Sequence, residues 1–165
     1  MRMPAPIPVV VLLLLAGRPA AAQVGPELPR QAFYLSPGVT FGGETTPDGS
    51  GGLLLGGEVS APYWRDPYFV GPVIEAVYDW ARHGPRVMGG VVLGHSYFGI
   101  DGGYLADLSG PHAHHGGAVR SFVTLGVVGL FARYGALVGA PDFVDFGIFL
   151  KLPLKLWGEP RDASR

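Results

Sequence analysis

The sequence contains no cysteine, so it can form no disulfide and carries no N-terminal cysteine for lipid attachment. It is also poor in charge: Asp, Glu, Lys and Arg together make up 15% of the 165 residues. Its bases form no block that would attract nucleic acid or anionic lipid, and no nucleic-acid partner is expected. No phosphate-binding glycine loop follows a strand into a helix, and no internal repeat emerges beyond the spacing of the apolar stretches. What remains is a chain rich in glycine (27) and proline (16), with hydrophobic residues at 48%. Those hydrophobics are regularly spaced, so the glycines read as strand bends and small inward positions rather than as disorder.

The N-terminus runs from Met1-Arg2 through an apolar stretch at Val9 to Leu15, then Arg18-Pro19 and Ala20-Ala21-Ala22. This is the charged, apolar and small-residue layout of a secretory signal peptide over 1–22, cleaved after Ala22. A membrane-spanning helix needs roughly 20 apolar residues, and this stretch is about half that before Pro and Arg interrupt it. Removing Arg2 and Arg18 with it takes the 12 basic residues to 10 against 13 acidic ones, a net charge of −3. A proline-bearing linker over 23–32, a folded unit over 33–157 and a tail over 158–165 complete the expected organisation.

Between the linker and the tail, eight stretches alternate apolar and polar residues with period two: 33–41, 53–63, 68–78, 86–95, 98–107, 119–127, 130–138 and 143–156. Such alternation predicts strands with one apolar face. The last is the clearest, Val144, Phe146, Ile148, Leu150, Leu152 and Leu154 alternating with Asp145, Gly147, Lys151 and Lys155. Short turns are expected at 64–67, at Ser96-Tyr97 and at Val128-Gly129, with longer loops between the other strands. A two-residue turn at Ser96-Tyr97 sets Leu93 beside Ile100, Val92 beside Asp101 and Arg86 beside Asp107, a cross-strand pair at the rim. A turn at Val128-Gly129 sets Thr124 beside Arg133 and lays Phe122 over Gly135 and Phe131 over Gly126.

The predicted fold is all-β: a single antiparallel up-and-down transmembrane β-barrel of eight strands, apolar outside and polar within. Short turns then face the periplasm and long loops face outside. Tyr63, Trp64, Tyr97, Phe98 and Trp157 are expected near the periplasmic interface, and Tyr78 and Trp80 near the outer one. A soluble secreted lipocalin-like barrel binding a small apolar ligand is the alternative, but it would need more charge on its exterior. A helical protein spanning lipid with Val119 to Ala140 would bury Arg133, at roughly 2.5 to 3.5 kcal/mol, and carry four glycines besides.

With these strands the chain resembles the small eight-stranded outer-membrane β-barrel proteins of Gram-negative bacteria, over about Phe33 to Trp157. The segment Asp145-Phe146-Gly147-Ile148-Phe149-Leu150-Lys151-Leu152 is similar to the polar-x-Gly-x-x-apolar-x-apolar signal by which last strands meet the barrel assembly machinery. The chain departs from that pattern in continuing past Trp157 to Arg165, and in placing Leu where Phe or Tyr is usual. The resemblance implies outer-membrane lipid and the assembly machinery as partners, and no cofactor. It does not say what, if anything, the surface binds.

Strand parity turns seven charged residues inward: Glu58, Glu75, Asp101, Arg120, Arg133, Asp145 and Lys151. An eight-stranded barrel is only wide enough to be filled by side chains, so these are expected to form a salt-bridged plug rather than an ion path. His112, His114 and His115 have metal-ligand side chains but no carboxylate or thiolate at a fixed spacing, and so define no coordination shell. His95-Ser96 has the residue types of a base and a nucleophile, yet adjacent strand residues point to opposite faces. The expectation is a non-enzymatic envelope protein.

Overall fold

The structure, a computed structural model, describes residues 31–159. The expected signal peptide, most of the expected linker and the end of the expected tail lie outside the described residues. Those described form ten strands and no helix: β1 (Gln31–Thr45), β2 (Gly51–Ser60), β3 (Tyr63–Arg65), β4 (Tyr68–Asp79), β5 (Gly84–His95), β6 (Phe98–Asp107), β7 (His114–Leu125), β8 (Val128–Leu137), β9 (Phe143–Lys151) and β10 (Leu154–Glu159). Every pairing is antiparallel, and β1 closes the sheet by pairing with both β2 and β9. The result is a closed up-and-down barrel, in which only β10 among the described strands pairs on a single side.

Two of the eight staves are broken by proline. Pro62 separates β2 from β3, and Pro153 separates β9 from β10, since proline offers no N–H to the ladder. The chain keeps its course in both places, β3 bridging β1 and β4 and β10 continuing along β1. Gln31 and Ala32 therefore pair with Glu159 and Gly158. Residues expected in the linker and tail belong to the wall.

One end carries two-residue turns at Asp66-Pro67, Ser96-Tyr97 and Gly126-Val127, and the other carries longer loops at 46–50, 80–83, 108–113 and 138–142. Short and long connections alternate as expected. The first three loops are shorter than the sequence suggested because β1 and β4 run on to Thr45 and Asp79 and β7 begins at His114. Ser96 supplies a left-handed turn residue at φ 53°, and the β5–β6 register follows as predicted, with Val92 opposite Asp101 and Arg86 opposite Asp107.

The β7–β8 register differs from the expectation. The turn falls at Gly126-Val127, where Gly126 takes φ 67°, a conformation glycine adopts freely and β-branched Val128 would resist. Thr124 then lies opposite Gly129, Phe122 opposite Phe131, and Arg120 opposite Arg133. Aromatic rings do cover glycines inside the barrel, but on neighbouring strands: Phe122 over Gly99, Phe149 over Gly129, Phe143 over Gly135 and Phe69 over Gly94. The shift keeps strand parity, so every inward residue of β7 and β8 stays inward.

Inside, two apolar clusters sit at different heights. Val73, Val92, Phe122, Phe131 and Phe149 pack toward the turn end, and Met88, Leu105, Ala118, Leu137 and Phe143 toward the loop end. Trp64, expected on the outer surface near the turns, is buried and stacks on Phe69 at 5.6 Å. The reason is parity: β3 reaches Arg65, and Trp64 occupies its one inward position.

Candidate functional site

The lumen carries the charges. On the eight long strands β1, β2 and β4 to β9, every Asp, Glu, Lys and Arg points inward: Glu44, Glu58, Glu75, Asp79, Arg86, Asp101, Asp107, Arg120, Arg133 and Asp145 are buried, and Lys151 is half-buried and bonded to Glu58. Ionised side chains are rarely buried unless paired. Each of these is paired, and together they form two connected groups.

The first group occupies the middle of the barrel and joins all seven residues that parity predicted. Arg120 is its hub. Its Nε and Nη2 donate to Asp101 Oδ2 at 2.8 and 2.6 Å, and its Nη1 donates to Glu58 Oε2 at 2.7 Å and Glu75 Oε1 at 3.0 Å. Glu75 also pairs with Arg133 and accepts from the Thr40 hydroxyl at 3.1 Å. Arg133 reaches Asp145 at 3.5 Å, which ties this group to the next. The cations lie over rings as well as beside carboxylates: Arg120 is 5.7 Å from the centroids of both Phe131 and Phe149, and Lys151 is 4.9 Å from that of Phe149.

The second group lies at the loop end, and sequence reasoning reached only part of it. Arg86 Nη1 donates to Glu44 Oε2 at 2.5 Å, and its Nη2 donates to Asp145 Oδ2 at 3.1 Å. Arg82, from the 80–83 loop, bonds Glu44 Oε1 at 2.9 Å and Asp107 Oδ2 at 3.3 Å. Arg86 and Asp107 are register neighbours, as expected, but each bonds elsewhere; the predicted rim pair is two neighbours rather than an ion pair. Arg86 also stacks on the Phe143 ring at 4.1 Å. Glu44, Asp79 and Arg82 were missed because they lay in segments read as loops. Continuing the parity of Thr40 by four residues would have found Glu44.

The other candidates do not converge. His114 and His115 begin β7 and face opposite ways, Nδ1 of His114 near the Val138 carbonyl at 3.2 Å and Nδ1 of His115 bonded to the Tyr104 hydroxyl at 2.6 Å. His112 stays in the 108–113 loop, and among the described residues no three His, Cys, Asp or Glu side chains are placed to hold a metal ion. His95 is on the outer wall, edge-on to Tyr68 at 5.1 Å, while Ser96 lines a cavity inside the turn end. Base and hydroxyl are on opposite sides of the wall.

The outer wall is apolar over its middle and aromatic at both ends. Val39, Phe41, Leu55, Ile74, Val91, Ile100, Val119, Leu130 and Ile148 are among its exposed side chains. Tyr63, Tyr68, Tyr97, Phe98 and Trp157 are exposed toward the turn end, and Tyr78, Trp80, Tyr104 and Tyr134 toward the loop end. No family model, curated protein or solved structure matches the chain.

Proposed function

We propose that the protein is an exported outer-membrane β-barrel of a Gram-negative bacterium, with its signal peptide cleaved after Ala22. Its role is structural or one of surface interaction, without catalysis. One observation carries this reading: the eight long strands hold all their charge inside and none outside. A barrel in water does the reverse, because ionised groups lose several kcal/mol when removed from solvent while exposed apolar area is unfavourable at about 25 cal/mol per Å². The arrangement is stable where the outside is hydrocarbon. Strands of 9 to 15 residues meet the roughly 9 to 11 residues that a tilted strand needs to cross it. Aromatic rings at both ends suit the two interfaces, and filling of the lumen by salt bridges suits a plug more than a pore.

The same observation weighs against a soluble lipocalin-like barrel, whose lumen would be apolar and whose wall would be wet. The partners are outer-membrane lipid along the wall and the barrel assembly machinery during insertion, the latter through the signal-like segment 145–152, which is β9 from Asp145 on and the residue after it. Membrane fractionation of cells expressing the full chain tests the proposal. Recovery with outer membranes, and a mobility on unheated gels that shifts on boiling, is expected. Recovery in the soluble periplasm without detergent would overturn it.

A further inference from the structure

The salt bridges do not fill the lumen to its turn end. A cavity of about 350 Å³ opens there, beyond the Phe122 and Phe149 rings, within the size range of small-molecule sites. Six of its fifteen lining residues are aromatic, among them Phe69, Phe122, Phe149 and Trp64, which stacks on Phe69. The Trp64 ring is more than nine-tenths buried, and its Nε1–H has no hydrogen-bond partner among the described residues. Buried donors in folded proteins are bonded in the great majority of cases. Among the described residues other buried donors lack a partner too, Arg86 Nε and Arg133 Nε among them; Trp64 is the one that lines the cavity.

The polar part of the wall has a sign. Lys151 is the one ionised side chain among the lining residues, and its carboxylate partner Glu58 lies deeper, held by Arg120. Ser36 and Ser60, opposite each other on β1 and β2, add hydroxyls to the wall. We propose that the cavity binds a small monocarboxylate with an aromatic or short aliphatic body. The body lies against Phe69, Phe122 and Phe149. The carboxylate accepts from the Trp64 N–H and the serine hydroxyls, and meets the positive charge of Lys151.

This inference rests on the barrel alone and is independent of the compartment in which the barrel resides. Calorimetric titration of the folded protein in detergent with phenylacetate, and separately with hexanoate, tests it against micelle blanks. Saturable one-site binding of at least one of them is expected. Trp64→Phe keeps the ring and its stack while removing the donor, and should weaken binding about tenfold, the effect of one hydrogen bond to a charged acceptor. Removing Lys151 would take from Glu58 one of its two cations, Arg120 being the other, so the charge is tested on the ligand: phenylacetamide, of the same shape and neutral, should bind about tenfold more weakly than phenylacetate. No saturable binding of either acid, or equal affinity in Trp64→Phe, overturns the site. Equal affinity for phenylacetamide overturns the anionic head.

Discussion

Arg120 and Arg133 stand directly opposite each other on the β7–β8 ladder, and a single carboxylate from across the lumen, that of Glu75, pairs with both. Like charges at facing positions destabilise a sheet. Here the repulsion is offset through the interior rather than along the wall. The same holds for Glu58 and Glu75, which face each other on β2 and β4 and share Arg120.

Glu75 is therefore the carboxylate whose charge this pair of arginines can least lose. Glu75→Gln keeps the volume but leaves two buried guanidinium groups facing each other. The folded barrel should lose about 3 to 5 kcal/mol, the usual effect of breaking a buried pair from one side, and Arg133→Ala should fall in the same range. Denaturant unfolding in detergent or lipid measures both; a neutral Glu75→Gln would mean that the network does not hold the barrel together.

The outer wall should respond in the opposite sense. Ile148 is exposed at mid-strand on β9, and on the membrane reading Ile148→Arg should cost about 2 to 4 kcal/mol in a bilayer. Ile148→Leu should change almost nothing. Unfolding of both variants in lipid vesicles checks this, and a harmless Ile148→Arg would assign the wall to water.

Glycines inside and outside the wall should differ. A Cβ on Gly129 would fall within the Phe149 ring, which is itself packed edge-on to Phe122 at 5.6 Å. Gly129→Ala should destabilise by about 1 to 3 kcal/mol through overpacking. A Cβ on Gly89 meets nothing within 4 Å, so Gly89→Ala should stay within about 0.5 kcal/mol of wild type. Equal effects in the same unfolding assay would mean that the ring does not rest on Gly129.

Orientation can be read from the two ends. With the longer loops outside, an epitope inserted between Pro111 and His112 should bind antibody on intact cells, and one at the Ser96-Tyr97 turn should bind only after permeabilisation. The reverse labelling pattern would invert the topology.

The 46–50 loop holds a local charge. The Thr46 hydroxyl, then the Ser50 backbone N–H and hydroxyl, all donate to Asp48 and lower its pKa from 3.8 to about 2. A depressed carboxylate favours the folded loop above its unfolded pKa, and the benefit disappears as pH falls through the folded value, here between about 4 and 2. Thr46→Val should move the Asp48 midpoint upward in an NMR titration; an unchanged midpoint would show that the hydroxyl contributes nothing.

Much of this protein follows from period two alone. Alternation marks the strands, and since successive residues point to opposite faces, it also turns Glu58, Glu75, Asp101, Arg120, Arg133, Asp145 and Lys151 to one side without any knowledge of their partners. Even the misplaced β7–β8 turn left those faces correct, because its shift preserved parity. Tertiary structure alone decided who meets whom. Arg120 bonds Glu58 from 62 residues away, a distance set by closure of β1 on β9 and by the stagger of the staves, neither of which leaves a local signal. The ends of strands were equally hidden: Glu44 lies between Gly42-Gly43 and Thr45-Thr46-Pro47, and Asp79 is the last residue before the 80–83 loop, yet ladder pairing carries both into the wall. There Arg82 and Arg86 satisfy their charges. Trp64 faces inward for a similar reason, its short strand held in register between β1 and β4, and that single orientation creates the aromatic cavity at the turn end.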